Sequence, residues 1–107
     1  MDNDKLYIKH IVDAIGKVRQ YTDGIKLEDF RKDTLVQDAV VRELEIIGEA
    51  ARHISEPTKK KYGDILWVQI LGMRNKLIHE YFGVDIDVVW ETIAQDLQML
   101  REKLEKH

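Results

Sequence analysis

Apolar residues recur every three or four positions along most of this chain, the spacing that places side chains on one face of an α-helix. One such line predicts the buried face of a long helix from about Asp33 or Thr34 to Ile54: Val36, Val40, Leu44, Ile47, Ala51 and Ile54. The chain also has one proline, few aromatic residues and many Leu, Ile, Glu and Lys. Together these features predict an all-α fold.

Three further helices follow from the same spacing. They are expected over Asp4–Tyr21, over Ile65–Phe82 and from an N-cap at Asp85 or Asp87 onward, where an a/d seam comprises Ile86, Trp90, Ile93, Leu97, Leu100 and Leu104. Gly24 and Gly83 are expected to end helices, and a helical turn before Arg31 should place Phe30 on the core. Residues 58–63 are predicted to be a connection. We therefore expect one domain, residues 1–107, folded as an antiparallel bundle of four to five helices.

Composition narrows the classes of function. The 107 residues include no cysteine, which fits a reducing cytoplasm. The first residues lack the apolar segment of a signal peptide, and no apolar run is long enough to span a membrane. We expect a cytoplasmic protein. The net charge of −3 argues against general coating of nucleic acid, so any contact with RNA must be local.

The pattern R-x-x-x-x-H-x-Y, formed by Arg74, His79 and Tyr81, lies within the predicted helix 65–82. Arg74 falls in an apolar stripe, where an unpaired guanidinium is costly to bury, so it needs an acidic partner, water or a bound anion. Arg74 and His79 are separated by about 140° around the helix and about 7.5 Å along it. One helix would not easily aim both at one atom, whereas two crossing copies could. The spacing therefore favours a dimeric site.

These residue types suit RNA cleavage without a metal. An imidazole changes protonation near neutral pH and can act as general base or acid. A guanidinium holds two phosphate oxygens with its planar fork. Asn75, on the same face as His79 and one turn before it, could fix the imidazole tautomer or hold a phosphate oxygen.

The motif, together with Gly48-Glu49-Ala50, resembles the HEPN toxins that are encoded beside a minimal nucleotidyltransferase antitoxin. Leu66 departs from that pattern, where we would expect proline. The resemblance implies a helical homodimer that cleaves RNA without a metal or other cofactor. It also implies that Arg74 and His79 are the catalytic pair and that Asn75 is the adjoining polar residue. Tyr81 would accept AMP from the partner nucleotidyltransferase, which silences the toxin.

Basic residues offer a second, weaker indication. Lys59, Lys60 and Lys61 precede Tyr62 and are interpreted either as a solubilising loop or as a phosphate-contacting edge with a ring for base stacking. Lys76, inside the motif, is a further candidate contact to RNA.

Other chemistries have less support. The four histidines, His10, His53, His79 and His107, show no spacing that places two on one helix face, so no metal site is predicted. Glu49 could be a catalytic carboxylate, but with its charged neighbours it more simply forms a solvated face. The alternative functions are a non-catalytic HEPN dimer that binds nucleotide or scaffolds the transferase, and a structural helical dimer without a ligand.

Overall fold

A computed structural model describes residues 2–65, 67–71 and 86–106 of the chain. All regular structure within these ranges is helical, so the predicted all-α class is confirmed. The elements are α1 (Asp2–Thr22), α2 (Leu27–Lys32), α3 (Thr34–Arg52), α4 (Glu56–Lys61), α5 (67–71), α6 (Ile86–Glu91), a π-helical turn (Thr92–Asp96) and α7 (Leu97–Lys106).

Helices α1 and α3 form the centre of the core and make the most extensive contact between two elements. Each presents a stripe of fully or nearly fully buried residues: Ile11, Ala14, Ile15 and Val18 from α1, and Val40, Leu44, Ile47 and Ala51 from α3. The predicted core face of α3 is confirmed. The start of α1 lies against the end of α3, since Asp4 bonds to Ser55 and Tyr7 stacks on His53, so the two helices are antiparallel.

Helix α2 connects this pair to α6. Gly24 has φ of 75° in the turn before α2, a left-handed conformation that glycine adopts without steric cost. Phe30 is fully buried, as predicted, with its ring 5.1 Å from that of Trp90. On the surface, the guanidinium of Arg31 donates two hydrogen bonds of 2.8 Å to the carboxylate of Asp87. This pairing lowers the pKa of Asp87, through the hydrogen bonds first and the positive charge of Arg31 second.

The predicted connection after Pro57 is wrong, because residues 56–61 form α4. Residues 53–55 separate it from α3, and Pro57 lies in the first turn of α4, where proline is well tolerated because its missing N–H is not needed. Ser55 precedes the helix with extended backbone, φ −69° and ψ 156°. The sequence that ends one helix therefore begins another.

Asp4 ties α4 to the beginning of α1. Its carboxylate accepts hydrogen bonds from the Ser55 hydroxyl at 2.5 Å, the Thr58 hydroxyl at 2.5 Å and the Ser55 N–H at 3.0 Å. These donors favour the charged carboxylate and lower the pKa of Asp4 from 3.8 to about 2, with the Ser55 hydroxyl contributing most.

The a/d seam predicts a regular α-helix from Ile86 to Leu104, but the observed helix is not regular over this range. A π-helical turn interrupts it, with the Leu97 N–H donating to the Thr92 carbonyl five residues back. Val89 and Leu97 are both buried although they are eight residues apart, which in a regular α-helix would separate them by about 80°. The extra residue of the π turn removes roughly 100° and brings them near one line. Leu97, Leu100 and Leu104 are buried as predicted, whereas Ile86, Trp90 and Ile93 are only partly buried.

One of the two predicted N-caps of the last helix is excluded, and one predicted helix start is wrong. Asp87 is not an N-cap, because it lies inside α6, which begins at Ile86, and its carboxylate is paired with Arg31. Asp85 is outside the described residues. Residues 62–65 form a turn and a bend, so Ile65 does not begin the motif helix, whose described part is 67–71.

Candidate functional site

The motif residues Arg74, Asn75, Lys76, His79 and Tyr81 lie outside the described residues. Their predicted roles therefore stay predictions. Residues 67–71, which precede the motif in the sequence, form the described helix α5.

Trp67 anchors α5 to the end of α4. Its ring is buried, and its indole N–H is 3.3 Å from the carbonyl oxygens of both Lys59 and Tyr62. Ile70 and Leu71 are half-buried and pack on the core, as the predicted apolar stripe requires. The spacing of Val68, Gly72, Asn75 and His79 in the sequence predicts a second line on this helix that serves as a contact surface, and Val68 is 83% exposed. The two predicted faces of this helix are therefore distinct over 67–71.

The lysine run occupies the last turn of α4. Lys60 and Lys61 are exposed, while Lys59 is only 15% exposed at its side chain and lies 3.9 Å from a carboxylate oxygen of Glu56. Tyr62 is 8% exposed and belongs to the core, so the prediction that it offers a ring for base stacking is wrong. Tyr62 follows an amphipathic turn, and its large ring is buried in the core, where it stabilises the fold and cannot reach a ligand.

A groove of about 330 Å³ lies between α1 and α3 and brings together side chains that the sequence keeps far apart. Tyr7 and His10 line it from α1, and Arg42, Glu45, Glu49 and His53 line it from α3. Its apolar lining comes from Ile46 and Ala50. The volume is at the small end of the about 300–1,000 Å³ that is typical of small-molecule sites.

The aromatic wall of the groove is a stack of two rings. The centroids of Tyr7 and His53 are 5.2 Å apart with 20° between the ring planes, an offset-stacked arrangement. His10 and Tyr7 form a T-shaped contact, with ring centroids 6.1 Å apart and planes at 85°. His10 is exposed at the surface.

The charged groups of the groove form one close contact and two longer ion pairs. His53 Nε2 lies 3.1 Å from Glu49 Oε1, and because a carboxylate only accepts, the imidazole donates. Arg52 Nη1 is 3.8 Å from the other oxygen of Glu49, while Arg42 Nη1 is 4.0 Å from Glu45. Glu49 is thus engaged with neighbours, whereas Arg42 and Glu45 are only loosely paired.

The sequence predicts the charged face of α3 but not this groove. The predicted solvated face around Glu49 includes its charged neighbours Arg42, Glu45 and His53, and all four residues are exposed or half-buried. The sequence does not indicate which helix packs beside this face of α3. Tyr7 and His10 reach His53 only because α1 runs antiparallel to α3. The expected pairing of Asp and Glu with Arg along one helix gives no signal for a contact between two helices.

No group of three or more His, Asp or Glu within the part of the chain that the structure describes could hold a metal ion. None of the described helices is both long and apolar enough to cross a membrane.

Comparison with known proteins covers nearly the whole chain. A family model described as "Ribonuclease HepT-like" matches residues 11–107. The chain is 44% identical over 102 residues to "Probable ribonuclease HepT" of Thermococcus cleftensis, covering 95% of this chain and 93% of that protein. It is 39% identical over 106 residues to "Putative RNase TTE0752" of Caldanaerobacter subterraneus subsp. tengcongensis, covering 99% and 95%. A third relative, "Putative RNase MJ1380" of Methanocaldococcus jannaschii, is 33% identical over 101 residues, covering 94% and 93%. No solved structure matches the chain.

Proposed function

Because the chain belongs to the ribonuclease HepT-like family, a family of HEPN-type ribonucleases, we propose that it is the toxin of a toxin–antitoxin pair and a metal-independent endoribonuclease. The observation that carries this proposal is the extent of the family match. It spans residues 11–107 and so includes every residue of the R-x-x-x-x-H-x-Y motif.

The proposed reaction breaks the bond between phosphorus and the 5′-oxygen of RNA. His79 takes the proton of the 2′-hydroxyl, and the resulting oxygen attacks the adjacent phosphorus in line. Arg74 binds two non-bridging oxygens of the phosphate and neutralises the charge that builds up on them. The departing 5′-oxygen takes up a proton, leaving a 2′,3′-cyclic phosphate and a 5′-hydroxyl. Asn75 orients the imidazole or holds a phosphate oxygen.

We further propose that two copies of the chain form one site. The separation of Arg74 and His79 on a single helix supports this, as does the exposure of Val68 on the predicted contact line. An apolar side chain at this position can be covered by a second copy of the helix. Lys60, Lys61 and Lys76 would add sequence-independent contacts to phosphates, whereas Lys59 is largely covered and lies beside Glu56.

Control by a nucleotidyltransferase antitoxin is proposed to act at Tyr81. The phenol oxygen attacks the α-phosphorus of ATP, its proton is lost to solvent and pyrophosphate leaves, so that AMP becomes attached to the ring. The added bulk and negative charge lie two residues from His79, where they would keep RNA out.

The test is cleavage of a mixed transfer and messenger RNA pool by unmodified protein in EDTA. We expect the wild type to cut, and Arg74→Ala and His79→Ala to lose the activity. Arg19→Ala, which removes an exposed arginine of α1, is the matched control and should cut normally. The new ends should carry 2′,3′-cyclic phosphates.

Recovery of 3′-hydroxyl ends alone would contradict the mechanism. No cutting by a wild-type protein that is dimeric, with an intact mass showing unmodified Tyr81, would support the non-catalytic nucleotide-binding or scaffolding dimer instead. The antitoxin is tested separately, by co-expression with a transferase that should add the mass of AMP to the wild type but not to Tyr81→Phe.

A further inference from the structure

The groove between α1 and α3 combines three surfaces that suit one nucleotide. It has stacked rings in Tyr7 and His53, an apolar lining and the loosely paired charges of Arg42 and Glu45. We propose that this groove binds one nucleotide of single-stranded RNA, with its base stacked on the Tyr7–His53 pair. The choice of RNA as the ligand class rests on the proposed function.

The packing of α1 on α3 holds the two rings together. Tyr7 and His53 lie nearly parallel, with 20° between their planes, so a third ring can extend the stack without reordering them. Tyr7 is half-buried, while 44% of the His53 side chain is accessible. The imidazole therefore offers the surface for a base. Loss of such stacking weakens binding by about 5- to 150-fold for each base.

The charges of the groove indicate which bases fit. Glu49 is engaged with His53 at 3.1 Å and with Arg52 at 3.8 Å. Glu45 is 4.0 Å from Arg42, the outer limit of an ion pair, so its carboxylate can accept from a ligand at little loss. Cytosine, adenine and guanine carry an exocyclic amino group that donates to a carboxylate, and uracil carries none. We therefore expect these three bases to bind in preference to uracil.

Arg42 supplies the contact for the phosphate of the same nucleotide. Its side chain is 71% exposed, and its guanidinium can bind two phosphate oxygens at once. The groove carries two carboxylates against this one arginine, which disfavours a bare inorganic anion. A nucleotide, with hydrogen-bond donors on its base and a single phosphate, matches both charges. The volume of about 330 Å³ lies in the range of small-molecule sites.

The test is an NMR titration of the full chain with CMP, AMP, GMP and UMP, which contain no phosphodiester to cleave. We expect ring resonances of Tyr7 and His53 to shift, and the three amino-bearing nucleotides to bind more tightly than UMP. Tyr7→Leu should weaken their binding about fivefold or more, while Tyr7→Phe should keep it. Tyr21→Leu, a change in a half-buried tyrosine of the same helix, is the matched control and should bind like the wild type.

A second pair of variants separates stacking from base recognition and from misfolding. His53→Ala removes an exposed ring and should weaken all four nucleotides, so it tests the stack if Tyr7→Leu does not fold. Glu45→Met keeps the side-chain length but removes the acceptor, and should abolish the preference over UMP. Shifts that map elsewhere, or equal binding by the wild type, Tyr7→Leu and His53→Ala, would overturn the proposal.

Cleavage measured in parallel distinguishes this proposal from the proposed function. A wild type that cuts RNA but binds no mononucleotide in the groove would refute the groove alone. A wild type that binds nucleotides there and never cuts would refute the ribonuclease and leave the groove as a nucleotide site.

Discussion

Replacing Phe30 by alanine should destabilise the protein strongly, because this ring places α2 in the core and contacts Trp90 of α6. It is fully buried, and its centroid lies 5.1 Å from that of Trp90 at an interplanar angle of 44°. Removing a buried phenylalanine typically costs about 3–5 kcal/mol, through lost burial and the cavity left behind. A domain of 107 residues has an unfolding entropy of about 0.2 kcal/mol/K near its midpoint. The expected fall in Tm is therefore roughly 13–22 °C.

The measurement is thermal unfolding followed by circular dichroism and by tryptophan fluorescence, at one fixed protein concentration because association would shift the midpoint. Leu35→Ala is the control, since Leu35 is 78% exposed and should change stability by no more than about 0.5 kcal/mol. A double-mutant cycle with Trp90→Leu should show a coupling of about 0.5–1.5 kcal/mol between the two rings. A decrease in Tm of less than about 5 °C for Phe30→Ala would refute the central position assigned to this ring.

Two further predictions concern charges. Asp4 has a pKa of about 2 in the folded protein against 3.8 ordinarily, so its contribution to stability is complete above about pH 4 and is lost as the pH falls towards 2. The difference in unfolding free energy between the wild type and Asp4→Asn, measured with urea, should therefore shrink over that range. A difference that stays constant would contradict the hydrogen bonds of a charged Asp4 carboxylate with Ser55 and Thr58. Arg31→Lys should lower Tm slightly, since an ammonium cannot make the bidentate contact with Asp87, and the difference should diminish in 1 M salt. A salt-independent difference would mean that the contact acts through packing.

The sequence predicts which residues of a single helix are buried. The core face of α3 and the burial of Phe30 follow from spacing alone, because side chains at helical intervals share a surface whatever packs on it. Helix α4 was missed because proline is compatible with both a break and a first turn, and only the surrounding structure decides between them.

The candidate site divides in the same way. A motif of fixed spacing identifies Arg74, His79 and Tyr81 from the sequence, although they lie outside the described residues. The groove depends on residues 7 and 53, which meet only through the antiparallel packing of α1 on α3. Periodicity records which side of a helix is buried, and it does not record which other helix covers it.

The π turn at Thr92–Asp96 places one more residue between the buried Val89 and the buried Leu97 than a regular α-helix would need to bring them to the same side. Such a turn absorbs an inserted residue while the helix on either side keeps its orientation. Removing exposed Ala94 would leave Val89 and Leu97 seven residues apart, about 20° from alignment in a regular α-helix, so both could keep their places in the core. A single-residue deletion at this point should therefore be tolerated, although deletions inside a packed helix normally rotate everything that follows.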